Sequence, residues 1–159
     1  MPSRRPRFFA SLASLASLLA LVVLAACLTH CRARGHDPSA EVRALLDTQA
    51  AAWNRGDIEG FMQGYWNSPE LRFASGGNVT MGWKPTLDRY KARYSDRAAM
   101  GTLAFTDLDV RPAGDDAALA FGTWRLTREG SSPHGLFTLF IRRTSEGWRI
   151  VHDHTSSAD

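Results

Sequence analysis

The chain has 159 residues and a formal net charge of +3, from 19 Lys and Arg against 16 Asp and Glu. Arg4, Arg5 and Arg7 supply three of those cations near the start, so residues 27–159 balance 16 against 16. That remainder suits one globular domain with a real core, leaves no room for a second, and lacks the basic face that nucleic acid requires.

Arg4 to Cys27 read as an export signal. A cationic start is followed by an almost unbroken apolar run from Phe8 to Ala26. Leu24-Ala25-Ala26-Cys27 resembles the lipobox that is cleaved just before its cysteine. Residues 1–26 are therefore expected to be removed, leaving a lipid-bearing Cys27. An uncleaved membrane helix is the alternative, since the run approaches the length of about 20 residues that spans a bilayer. The small residues before Cys27 favour cleavage. Two or more acyl chains, as lipoprotein processing normally adds, give stable anchoring. Cys31 is left alone, either as an incidental thiol or as a partner for a second chain. Residues 28–36 show no apolar period and read as a tether that reaches about 30 Å when extended. Leu28 and Thr29 lack the aspartate that retains many Gram-negative lipoproteins at the inner membrane. The expected location is the cell envelope, on the periplasmic face of the outer membrane.

The globular part, residues 37–159, opens with Asp37-Pro38, a capping residue followed by a proline tolerated in the first helical position. Val42, Leu45, Leu46, Gln49, Ala50 and Trp53 then recur at helical spacing. Asn54-Arg55-Gly56 ends that helix, and Asp57 caps a second whose inner face holds Ile58, Phe61, Met62 and Tyr65. Residues 70–75 and 79–83 flank Gly76-Gly77-Asn78 as a short hairpin, and a third helix from Pro85 carries Leu87, Tyr90 and Tyr94. From Gly101 the period changes to two. Leu103 and Phe105 share one parity while Leu108 and Val110 share the other, so a bulge near Thr106-Asp107 keeps all four on the core face. Residues 117–128, 136–143 and 148–155 are three further strands. Helices first and strands later predict an α+β domain with helices on one face of an antiparallel sheet.

This order, with Trp53-Asn54-Arg55-Gly56-Asp57, Tyr65, Gly82, Tyr90 and the closing run from Glu146 to Ser156, resembles the nuclear transport factor 2-like superfamily. The similarity extends over about residues 38–157 and is greatest to its SnoaL-like branch, of the domain-of-unknown-function 4440 type. The resemblance implies a cone-shaped α+β barrel of cystatin-like form, in which a strongly bent sheet wraps around helices. An apolar pocket lies at its open end, and the domains commonly pair through their sheets. Members include ketosteroid isomerases, polyketide cyclases, dehydratases and domains that only bind or assemble, so membership implies shape and not chemistry.

The closing strand carries the candidate chemistry. Alternation places Trp148, Ile150, His152 and His154 on one face, and Trp148 and Ile150 mark that face as inward. His152 and His154 are thus expected near the cone interior, where histidine shuttles protons near neutral pH, while Asp153 points the other way. Histidines at i and i+2 also suit a metal, with His134 or a carboxylate as third ligand. Only two ligands are visible, so neither metal nor cofactor is expected. Ketosteroid isomerases and related cyclases carry a pocket aspartate on the strand after the second helix. Here that strand reads Glu70-Leu71-Arg72-Phe73-Ala74-Ser75 and has none, which speaks against that chemistry. Asp57 is explained as a helix cap. Trp66 and Trp124 add to an aromatic inventory that is mostly core, from which Trp53, Tyr65, Trp83, Tyr90, Phe105 and Trp148 are the candidate ligand contacts. Arg125 reads as an outer-face residue. The sequon Asn78-Val79-Thr80 is idle behind a bacterial export signal. The expected function is a lipid-anchored domain that binds a small apolar or amphipathic ligand, as a homodimer. The alternatives are a dehydratase, isomerase or cyclase with His154 or His152 as acid or base, and a structural dimerisation module.

Overall fold

The computed structural model describes residues 37–158, so the segments expected to form a signal, a lipid site at Cys27 and a tether lie outside the described residues. Helix α1 spans Ser39–Asn54 and buries Val42, Leu46, Gln49 and Trp53 of the anticipated stripe together with Ala52, while Leu45 and Ala50 are half-buried. Asp37 Oδ1 accepts from the Ser39 amide at 2.9 Å. Pro38 stands just outside the helix and lends its carbonyl to Val42 N. Gly56 reverses the chain at φ +87°, where an added Cβ would lie 2.9 Å from the Arg97 side chain. Asp57 then caps α2 (Ile58–Met62) by accepting from Gly60 N at 2.7 Å.

Strands β1 (Arg72–Ser75) and β2 (Asn78–Met81) form a hairpin about Gly76 and Gly77, both at positive φ as a two-residue turn of this hand demands. Helix α3 begins at Trp83, two residues before Pro85, and runs to Arg93; a short α4 (Arg97–Met100), capped by Asp96, was not foreseen. Four long strands follow: β3 (Thr102–Pro112), β4 (Ala117–Thr127), β5 (His134–Thr144) and β6 (Gly147–Thr155).

The six strands make one open sheet in the order β2-β1-β6-β5-β4-β3. The sheet is mixed, because β1 runs parallel to β6 while every other pair is antiparallel. Helices cover one face, where Leu103, Leu126, Phe137, Leu139 and Ile150 join α1 in the core. Asn54 ties the layers together. Its amide donates to the Leu103 carbonyl at 3.0 Å and its carbonyl accepts from Leu103 N at 2.7 Å, so one side chain pairs with β3 as a neighbouring strand would.

Two bulges set which side chains face the helices. The first is the anticipated one. Register shifts between Thr106 and Asp109, Asp107 turns to φ +53°, and Leu103, Phe105, Leu108 and Val110 all pack toward the core. The second lies in β6, where Ile150 pairs with Ile141 and His152 with Phe140, leaving Val151 unmatched. One extra residue inverts the alternation beyond it.

Candidate functional site

Between the helices and the inner face of the sheet lies a cavity of about 540 Å³, a size suited to a small organic ligand. Its wall is aromatic. Trp53 and Phe61 meet edge to face at 5.1 Å between ring centroids, and Tyr90 lies 5.3 Å from Phe61 and 5.5 Å from Phe73. Such contacts hold the rings in place without filling the space between them and the sheet.

Asp153 is the one carboxylate among the described residues that line this cavity, and it is 3% exposed. Its orientation corrects the reading of the closing strand. Strict alternation from Trp148 and Ile150 turns the histidines inward, but the unmatched Val151 reverses the parity and sends Asp153 into the core instead. His152 is half-buried and His154 exposed, and neither lines the cavity. Burial and the neighbouring Arg72 and His154 charges pull the His152 imidazole below its ordinary value.

The backbone that brings a partner to Asp153 is equally specific. After α2 the chain runs beside β6, with Ile150 N donating to Gly64 O and Trp66 N to Ile150 O, both at 2.9 Å. Tyr65 is therefore held in an extended bridge and not on the face of a helix. From there its hydroxyl donates to Asp153 Oδ2 at 2.7 Å, while Thr155 donates to Oδ1 at 2.6 Å. Burial pushes the Asp153 carboxyl up to about 6, against the opposing pull of the Thr155 and Tyr65 hydroxyls. Burial and the Asp153 charge raise both Tyr65 and Tyr90 well above an ordinary phenol, so both keep their protons. The cavity thus presents a base poised near neutrality, bonded by the Tyr65 phenol and the Thr155 hydroxyl, in an apolar enclosure.

Of the anticipated ligand contacts, Trp53, Tyr65, Tyr90 and Phe105 line the cavity. Trp83 and Trp148 do not. Because α3 starts at Trp83, that side chain straps the helix to α2, its indole donating to the Met62 carbonyl at 2.9 Å. Trp148 faces inward but sits five residues before Asp153, about 16 Å along a strand. It borders a second, shallower depression beside α1, with the Arg143 guanidinium 4.9 Å from its ring. Arg125 is exposed, as expected. Sequence reasoning missed Asp153, Arg89 and Phe73. The adjacent apolar pair Ile150-Val151 was the available signal for Asp153, since two such residues in a row break the alternation.

Helices over one face of an open mixed sheet, with an aromatic cavity between the layers, define the class of cystatin-like α+β domains. Residues 42–159 match the model of the SnoaL-like domain, and the chain belongs to that family. It is similar, at 38% identity and a TM-score of 0.72, to a nuclear transport factor 2-like protein of unknown function from Shewanella oneidensis, over 76% of this chain and 99% of that one. A protein of unknown function with a cystatin-like fold from Nostoc punctiforme superimposes with a TM-score of 0.64 at 10% identity, over 76% and 90% of the two chains. A ketosteroid isomerase-like protein from Erwinia carotovora atroseptica does so with a TM-score of 0.63 at 16% identity, over 78% and 98%. These last two share the fold alone. No functionally curated protein matches the sequence.

Proposed function

We propose that this domain binds a small, largely apolar molecule bearing one hydroxyl or carbonyl oxygen, with that oxygen seated against Tyr65 and Asp153. The observation that carries this reading is the buried Tyr65–Asp153 pair in an otherwise aromatic and aliphatic cavity. Two hydroxyls offset only part of the cost of burying this carboxylate, and a ligand hydroxyl adds a further donor. Isothermal titration of the full chain with 2-naphthol tests the reading. Binding is expected to weaken about tenfold in Asp153→Asn, the scale of one good hydrogen bond to a charged group. Equal affinity in both proteins overturns it.

A second reading, proton transfer on the bound molecule, is favoured by one observation: the Asp153 carboxyl is held at about 6, where it takes and returns a proton near neutral pH. It gives the isomerase or dehydratase alternative a base in place of His152 and His154. Deuterium exchange at the α-carbon of 2-tetralone, lost in Asp153→Asn, is its expected signature.

The segment from Arg4 to Cys27 supports lipid attachment at Cys27 and a place in the cell envelope, on the periplasmic face of the outer membrane. Metabolic labelling with an alkynyl palmitate, absent in Cys27→Ser, tests this. A homodimer through the outer face of the sheet is supported by Leu136, 64% exposed, and the neighbouring Phe121. Sedimentation equilibrium of Leu136→Glu tests it, with dissociation expected.

A further inference from the structure

Helix α3 carries its cations in two distinct settings. Lys84 pairs with Asp88 at 2.6 Å and Lys91 with Glu59 at 2.5 Å, so the cations turned away from the cavity are neutralised. Arg89 and Arg93, one turn apart, both line the cavity. Among the described residues, no carboxylate lies within ion-pair distance of either.

Arg89 is held in place. Its Nη1 donates to Thr80 Oγ1 at 3.0 Å, its Nη2 donates to the Ser75 carbonyl at 3.2 Å, and its guanidinium lies 5.0 Å from the centre of the Phe73 ring. These partners are neutral, so the positive charge stays uncompensated and its remaining N–H donors are available. Arg93 is exposed and lies 5.8 Å from the Tyr94 ring centre. Exposed Ala92 and Gly76 also line the cavity, which marks this end of α3 and the hairpin turn as its mouth.

The lining is therefore polarised, with a carboxyl group at the buried end and two cations, the anchored Arg89 and the exposed Arg93, at the open end. A ligand anion is repelled by Asp153 and attracted by the arginines, whose planar donors suit a carboxylate. We infer that the cavity takes an amphipathic carboxylate, its uncharged oxygen seated on Tyr65 and Asp153 and its carboxylate held at the mouth by Arg89 and Arg93. This inference rests on the binding function proposed above and names the class of molecule it serves.

Two probes on one ring system separate the two ideas: 6-hydroxy-2-naphthoate, and 2-naphthol, which lacks only the carboxylate. Each is titrated calorimetrically into the full chain, into Arg93→Gln and Arg93→Lys, and into Ala92→Trp, which plugs the mouth from an exposed position. The acid is expected to bind about tenfold tighter than the naphthol, a factor appropriate to one charge-assisted contact. That preference should shrink in Arg93→Gln, where Arg89 alone remains, survive in Arg93→Lys and grow weaker with salt, while 2-naphthol binds the full chain and both Arg93 variants equally. Equal affinity for the two probes, or a preference undiminished in Arg93→Gln, overturns the carboxylate assignment and leaves the cavity as a binding site. Loss of melting temperature in Arg93→Gln without any change in preference does the same, assigning Arg93 to the helix C-terminus alone. Failure of both probes to bind in a manner sensitive to Ala92→Trp overturns the binding function together with it.

Discussion

Tyr65 and Asp153, 88 residues apart in the chain, share a hydrogen bond of 2.7 Å inside the cavity, and each is there because of an irregularity in the strand pattern. Tyr65 sits in a lone parallel bridge to Ile150, and Asp153 faces inward because Val151 is bulged out of register. The pair follows from where two short backbone departures meet.

Removing the phenolic donor exposes what it does. In Tyr65→Phe the Asp153 carboxylate loses one of its two hydroxyl donors while remaining buried, so its titration midpoint moves upward from about 6. Carbon-13 NMR of the side-chain carboxyl reads this directly. The unmet acceptor should also lower stability by about 1–3 kcal/mol.

Asp153 itself makes stability depend on pH in an unusual sense. Its folded-state value lies above the ordinary 3.8, at about 6, so between those values the folded chain binds more protons than the unfolded one. Stability contributed by this group is present in acid and is lost as pH rises from about 4 through 6. Asp153→Asn removes the ionisation, and at pH 7 it is expected to be more stable than the natural protein by up to about 3 kcal/mol. Thermal unfolding measured at pH 5 and pH 7 checks the sign: the gap between the two proteins should widen at the higher pH.

Asn54→Ala removes both links from α1 to the Leu103 backbone and strands two polar groups of β3. A loss of about 2 kcal/mol is expected, visible as a lowered urea midpoint with an unchanged slope.

His152 and His154 belong to the outer side of β6, beside Arg72. Replacing either with alanine should leave affinity for any cavity ligand within about twofold, since neither group loses a contact to it. A tenfold loss in His154→Ala, with folding intact, would return the histidines to the site.

Much of the fold was legible because its signals are local. Helical spacing from Val42 to Trp53, the caps at Asp37 and Asp57, the paired glycines at 76 and 77, and the parity change between Phe105 and Leu108 each predict an element that is present. The parallel pairing of β1 with β6 was not legible, since it joins segments about 80 residues apart and leaves no mark on either strand. The same limit governs the site. Trp53, Tyr90 and Phe105 were found as aromatics on periodic faces, whereas Asp153 was assigned to the wrong face because one bulged residue reverses every side chain after it. Arg89 and Arg93 gave no signal at all, because a lining arginine and a solvated one look alike until the neighbouring acids are located in space.

Every reading of the site proposed here depends on the cavity around Asp153 holding a ligand. That is tested most directly by the melting temperature of the full chain against hydroxylated and oxo polycyclic compounds, compared with Ala92→Trp. A compound present at a hundred times its Kd stabilises the folded chain by about 2.7 kcal/mol, a rise of several degrees. A rise seen in the natural protein and abolished by the plugged mouth is the predicted result. No rise with any compound, or the same rise in Ala92→Trp, would contradict the account.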